Sequence, residues 1–358
     1  MTCNLISNNT IRVLSLDGGG TRGYMSLKFF IKFVQQWGIS QEDIWKHFDV
    51  ISGTSIGGIL ALGLALGITP DEMSPFFTVQ APYVFSLSSL VPSLRPNIAA
   101  KLALIAADIP FYQSSGITEE QYGSGLLYKT IRDITGTNTM QDLKTNVLIP
   151  SYEQDTSTYR LFSNLNYPEY TGQNELVSNV AIATSAAPIY LPALSLNNHV
   201  YKDGGIYQNN PARLALTLGK AIKPTAKRAC VLSIGTGIGE LGFDDGDPLM
   251  IDERVATQQR FLQDNNVGVI DSVTELFTLF EIAIKGGQES IDIDLFMNSE
   301  YSLDELYYYR FQPQLDLNLN TGLDNTDPDI LTYYENTADE WFNNDIGNIN
   351  NFIGHLTA

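Results

Sequence analysis

Two glycine-framed turns carry residues whose types and spacing can do chemistry. Gly53-Thr54-Ser55-Ile56-Gly57 sets a serine two positions from a glycine on either side. A serine on so tight a strand-to-helix turn stands clear of its neighbours, and the following helix points N–H groups and positive dipole at it. That is the arrangement of a nucleophile for an acyl carbon. The second turn, "VLSLDGGGTRG" (Val13–Gly23), runs an apolar stretch into three consecutive glycines. Each adds backbone entropy that folding must remove, so bare backbone is needed there for a purpose.

Three purposes compete. A phosphate-binding P-loop needs G-x-x-x-x-G-K-[ST], and "GGGTRGYM" lacks the Lys-Ser/Thr ending. Gly18, Gly20 and Gly23 formally meet the dinucleotide pattern G-x-G-x-x-G, but no acidic residue closes a second strand about 20 residues on, as a ribose contact requires. The remaining reading is a cradle of backbone N–H groups from Gly18, Gly19 and Gly20 for a developing oxyanion. Arg22 then serves either a phosphate headgroup or the anchoring of the loop.

A nucleophilic serine needs a base. His47 precedes the strand that leads to Ser55, His355 lies in a polar tail, and His199 precedes the strand ending at Asp203. All three read as surface or turn residues, so a Ser–His–Asp triad has little support. Asp203 ends an apparent strand and is followed by Gly204-Gly205, which puts its carboxylate at the same sheet edge as Ser55. A carboxylate within about 3 Å of the hydroxyl takes the proton directly. Its low intrinsic pKa demands a partly desolvated site.

The elements that must position these groups alternate between strand and helix. Strands are expected at Ile11–Asp17, Phe48–Ser52, Asn146–Tyr152, Tyr159–Ser163, in the stretch ending at Asp203, in "ACVLSIGTG" and at Tyr307–Gln312. Helices are expected over Tyr24–Trp37, from about Ser55, over Ile98–Ala107, around Leu176–Ala187, from Asn210-Pro211, and over Val267–Lys285. Alternation of this kind predicts a three-layer α/β/α fold with a mostly parallel central sheet, whose ligands gather at the carboxyl ends of the strands. Both glycine turns lie there. The apolar region Ala81–Tyr112 is either an acyl-chain pocket or lid, or a packed core helix with its connector.

Bulk properties narrow the class. The 358 residues are 44% hydrophobic and 17% charged, as in a soluble globular protein. No run of about 18 apolar residues marks a membrane span. The first residues lack a basic region followed by an apolar run, so no Sec-type signal is visible. Cys3 and Cys230 make neither a disulfide framework nor a metal site. Residues 1–235 hold 17 Lys and Arg against 16 Asp and Glu, whereas residues 236–358 hold 4 against 24. That acidic third repels phosphate, which argues against a nucleic-acid polymer or an anionic membrane as its partner. It reads as a solvated surface, with docking of a basic partner as the sharper option.

Together "DGGGTRG" (Asp17–Gly23), "GTSIGG" (Gly53–Gly58) and "DGG" (Asp203–Gly205) resemble, in order, the three signatures of the patatin-like phospholipases. "ATSAAPIYLPA", "NNPARLA" and "LSIGTG" match as well. The resemblance implies a catalytic domain over residues 11–240 and an acidic region, 241–358, packed on it. It also implies a lipid acyl hydrolase with Ser55 as nucleophile, Asp203 as its partner in a dyad, Gly18–Gly20 as oxyanion hole, and Gly53 and Gly57 framing the elbow. It implies no metal or other cofactor, a phospholipid or lysophospholipid surface as partner, and a location in the cytoplasm or peripherally at membranes, with export by a non-Sec route left open. Some family members are switched on by cyclic oligonucleotides in antiphage defence, and others are secreted toxins needing a host cofactor. A regulated effector with a small-molecule or protein activator is therefore the alternative, and a non-catalytic lipid-binding or storage protein a third class.

Overall fold

β1, Thr10–Leu16, is a run of seven buried residues that ends where the glycines begin. The computed structural model describes residues 9–85, 125–168, 170–188, 190–238, 284–299, 305–316, 318–319 and 321–358. The expected helix Ile98–Ala107, most of the apolar region Ala81–Tyr112, and nearly all of Val267–Lys285 lie outside those residues.

Among the described residues nine strands form one sheet. Besides β1 they are β2 (Val50–Gly53), β3 (Asn146–Glu153), β4 (Thr158–Phe162), β5 (Tyr170–Thr171), β6 (Leu194–Leu196), β7 (His199–Asp203), β8 (Arg228–Ile234) and β9 (Glu305–Phe311). The order β3-β2-β1-β8-β9 is wholly parallel. β4 and β7 run antiparallel to β3, and β6 pairs with β7. The helices are α1 (Gly23–Trp37), α2 (Ile56–Leu66), α3 (Pro70–Pro75), α4 (Ala81–Val84), α5 (Gly125–Thr135), α6 (Val177–Ser185), α7 (Ala212–Ile222), α8 (284–299), α9 (Pro328–Asn344) and α10 (Ile346–Thr357).

Alternation along the strands separates the layers, since successive side chains leave a strand on opposite faces. Leu14, Leu16, Ile51, Leu232, Ile234 and Phe311 pack with α1, α2, α6, α9 and α10. Ile11, Val13, Val50 and Val231 pack with Ala212, Ala215 and Leu216 of α7 and Leu295 of α8. The expected mostly parallel sheet between helical layers is thus present. Burying both faces explains why these strands read as continuous apolar runs.

The last third contributes to this frame. β9 pairs with β8 in register from Arg228↔Glu305 to Ile234↔Phe311. Lys28 and Lys32 of α1 form salt bridges with Glu335 and Asp339 of α9. The tail read as polar folds into α9 and α10, burying Ile330, Leu331, Tyr334, Ala338, Ile349, Phe352 and Leu356. Dense Asn and Asp between these apolar positions dilute the helical pattern. Among the described residues no helix is long and apolar enough to cross a membrane.

Candidate active site

β2 and β7 bring the two key turns together. β2 pairs with the first half of β3, Ser52 opposite Leu148, and β7 pairs with the second half, Asp203 opposite Ser151. β4 occupies the other edge over that second half, so β2 and β7 share one edge of β3 and point their carboxyl ends at each other. The turns after Gly53 and after Asp203 therefore meet beside Pro150.

The elbow is held in a conformation that only its surroundings can impose. Ser55 has φ 55° and ψ −126°, a positive φ that is costly for a residue other than glycine. A Cβ on Gly57 would stand 2.2 Å from the Leu16 carbonyl oxygen, and one on Gly53 would stand 2.0 Å from that of Gly57. Gly57 demands glycine because the start of α2 presses on the end of β1, and Gly53 because the same helix start folds back on the end of β2. Thr184 of α6 pins the turn, its Oγ1 accepting from the Ser55 amide at 3.1 Å while donating to the Pro150 carbonyl at 2.6 Å. Thr54 Oγ1 donates to the Gln208 carbonyl at 2.7 Å, tying the elbow to the segment after Asp203.

Asp203 is fully buried. Its Oδ1 accepts from the Gly205 amide at 2.6 Å, and the Ser55 side chain is close enough to interact with its carboxylate. Burial pushes its pKa up to about 7, with the Ser55 side chain and the Gly205 amide opposing the rise. A carboxylate so tuned is a competent base near neutrality.

The glycine loop crosses the same opening. The Gly18 amide makes a long hydrogen bond, 3.4 Å, to the Asn209 carbonyl, and the Gly18 carbonyl accepts from Asn209 Nδ2 at 3.1 Å and Thr236 Oγ1 at 2.8 Å. Among the described residues the amides of Gly19 and Gly20 have no acceptor. Gly20, at φ 57°, sits against the Leu323 carbonyl, which also accepts from the Thr21 amide at 2.8 Å. Arg22 Nε donates to the Thr321 carbonyl at 2.6 Å, so this side chain joins the loop to the segment after β9.

The elbow, the glycine loop and Asp203 all contribute to one open cleft. Gly19, Gly20, Ser55, Asp203 and Asn209 form its polar end; Ile56, Ile59, Phe76, Phe85, Leu127 and Leu191 are among the apolar remainder. Phe85 is the last described residue of the apolar region singled out in the sequence. None of the histidines lines the cleft. His47 packs on Trp37, His199 contacts Asp155 at 2.8 Å, and His355 stacks on Tyr307. Glu153, Asp155 and His199 are the one group of three metal-capable side chains among the described residues. Arg160 already holds both Glu153 oxygens, and the group is outside the cleft.

Sequence reasoning passed over Thr184, Asn209 and Leu323. Asn209 had a visible signal, since it opens the "NNPARLA" segment. It is fully buried, and its Oδ1 has no donor among the described residues.

A parallel sheet between helical layers, with a Gly-x-Ser-x-Gly turn and a glycine loop at its carboxyl edge, has the architecture of an α/β hydrolytic enzyme. The family model "Patatin-like phospholipase" matches residues 14–216, more than half of the chain, and the chain belongs to that family. A cGAMP-activated phospholipase of Vibrio cholerae is 34% identical over 218 residues, covering 58% of this chain and 57% of that protein. The calcium-independent phospholipase A2-gamma of Homo sapiens is 30% identical over 244 residues, 65% of this chain and 29% of the relative. The chain thus spans little over half of the former relative and under a third of the latter. The crystal structure of VipD from Legionella pneumophila aligns with a TM-score of 0.42 and 14% identity, over 94% of this chain and 67% of that one.

Proposed function

We propose that this chain is a lipid acyl hydrolase working through Ser55 and Asp203. The observation that carries the reading is that Ser55 and the buried Asp203 carboxylate together line the polar end of an otherwise apolar cleft. Asp203 takes the hydroxyl proton as Ser55 Oγ bonds to the acyl carbonyl carbon. The carbonyl oxygen becomes an oxyanion, stabilised by the Gly19 and Gly20 amides. Gly18 contributes by shaping the loop, since its own amide faces the Asn209 carbonyl. Collapse of the intermediate expels the lysolipid or alcohol oxygen, which takes the proton back from Asp203. A water then gives a proton to Asp203 and attacks the acyl-enzyme, and as the fatty acid leaves Asp203 returns that proton to Ser55 Oγ. The apolar walls receive the acyl chain, and the substrate is a phospholipid or lysophospholipid at a lipid surface.

Fatty-acid release from mixed phospholipid vesicles in excess EDTA tests this, comparing wild type with Ser55→Ala and Asp203→Ala. Release by wild type and none by either folded variant is expected. Turnover that persists in Ser55→Ala would overturn the assignment, and turnover abolished by EDTA would overturn its metal independence.

A regulated form of the same chemistry is favoured by one finding, the cGAMP activation named for the Vibrio cholerae relative. It predicts a folded wild type that is silent on vesicles until a cyclic dinucleotide is added.

A further inference from the structure

Behind the glycine loop lies a partly buried ionic cluster supplied largely by β9 and α8, both outside the 14–216 family match. Arg310 of β9 is its hub. Its Nη2 donates to Asp17 Oδ2 at 2.6 Å, its Nε to Asp292 Oδ2 at 3.0 Å, and its Nη1 to Ser233 Oγ at 2.8 Å. Gln288 Nε2 is a second donor to Asp17 Oδ2, at 2.8 Å. Asp292 Oδ1 accepts from Tyr308 OH at 2.6 Å and from Asn210 Nδ2 at 2.8 Å.

The two carboxylates lead to the two halves of the site. Asp17 is the residue before Gly18, and its amide is fixed to the Ile234 carbonyl at 2.9 Å. Asn210 follows Asn209, whose side chain and carbonyl both hold Gly18, in the segment that begins at Asp203. One guanidinium thus joins the base of the oxyanion loop to the segment that carries the base.

Stability does not account for this arrangement. Removing Asp17 and most of Arg310 and Asp292 from water is costly, and replacing buried ion pairs by apolar groups of similar volume is often neutral or stabilising. Asp17 Oδ1 has no donor among the described residues, so the cluster is not even fully satisfied. What it supplies is direction, because a guanidinium presents its donors in a rigid fork.

We infer that Arg310 is a positioning residue for the oxyanion hole, fixing through Asp17 and Asp292–Asn210 where the Gly19 and Gly20 amides stand relative to Ser55. This rests on the acyl-hydrolase reading. Arg310 touches no substrate and transfers no proton. Its effect falls on the transition state, where amide donors must meet the developing oxyanion rather than the ground-state carbonyl.

The test uses the full chain as wild type, Ser55→Ala, Arg310→Met, Arg310→Lys, Asp17→Asn and the Asp17→Asn/Arg310→Met double variant. The fraction of competent sites is counted by end-point labelling of Ser55 with a fluorophosphonate, read by intact mass. kcat per labelled site and KM are then measured on a soluble short-chain ester. Arg310→Met should lower kcat per site about 10- to 100-fold with KM nearly unchanged, as for loss of a transition-state interaction. Arg310→Lys should recover part of that loss. The double variant should lose far less than the product of the single losses, because both side chains act through one loop.

Unchanged kcat per site, with only the labelled fraction or the melting temperature falling, would reduce the cluster to a brace and overturn the inference. If Arg310→Met fails to fold, Arg310→Lys and Asp17→Asn decide by the same criterion. A wild type with no more turnover than Ser55→Ala, both without and with added cyclic dinucleotide, would overturn the acyl-hydrolase reading itself, and the Arg310 role with it.

Discussion

Ser55 and Asp203 line one cleft and interact through their side chains, although they follow and end different strands that never pair with each other. β3 makes the meeting, because β2 and β7 lie end to end along one of its edges. Replacing Asp203 by Asn keeps the shape and removes the proton acceptor. Hydrolysis of a soluble ester should then fall by about 10²–10⁴, the usual contribution of a positioned base. Ser55→Ala should abolish turnover of that ester. Stopped assays on both folded variants check this, and an Asp203→Asn variant with wild-type kcat would remove Asp203 from the reaction.

The pH profile should report the burial of Asp203. Only the ionised carboxylate accepts the serine proton, and burial places its pKa at about 7 rather than near 4. kcat/KM, which reports the free enzyme, should therefore rise with pH along an acid limb centred near 7. A profile already flat at pH 5 would mean that the working base titrates as an ordinary exposed carboxylate.

The structural reason that the site was legible in the sequence is local. Glycines at or just past strand ends, such as Gly18, Gly53 and Gly204, mark turns, and those turns pick out the nearby Asp17, Ser55 and Asp203 without any knowledge of distant contacts. α1, α2 and β8 were legible for a similar reason, since a two-face buried sheet writes apolar runs and its helices write a 3.6-residue period. What joins distant elements leaves no such local mark. Arg310 to Asp17 and Thr321 to Arg22 are contacts between the last third and the first, and no periodicity within either stretch reports them. One signal was present and unused: Arg310 is the only Lys or Arg after Lys285 in a strongly acidic stretch, and it sits in a predicted strand. A single cation there needs buried carboxylates to answer it.

Gly20 is where backbone freedom and chemistry coincide. Its φ is 57°, and a Cβ would stand 2.0 Å from the Leu323 carbonyl oxygen, an atom that cannot retreat without breaking its bond to the Thr21 amide. Gly20→Ala should displace the loop and cost about 10²–10³ in kcat, the loss typical of one oxyanion donor. KM for a short ester should change little. Steady-state kinetics with fluorophosphonate counting of competent sites measures both, and a loss confined to KM would place Gly20 in substrate binding instead.

Burial of Asp203 also predicts a stability change of definite sign. Its pKa is raised on folding, from the unfolded value near 4 to about 7, so the folded state disfavours the ionised form. The cost of burying that charge is fully present above pH 7, shrinks as pH falls through the folded value, and is gone below the unfolded one. A shift of that size is worth on the order of 4 kcal/mol, as an upper bound. Asp203→Asn carries no charge to bury, so it should melt higher than wild type at pH 8.5, with the difference narrowing at pH 4.5. Asp17, whose pKa burial raises to about 6 against the pull of Arg310, has the same sign but is present in both proteins and cancels in the comparison. Differential scanning calorimetry of the pair at the two pH values measures the effect. A difference that is equal at both would mean that Asp203 keeps an ordinary pKa in the folded protein, and the acid limb of the activity profile would then need another owner.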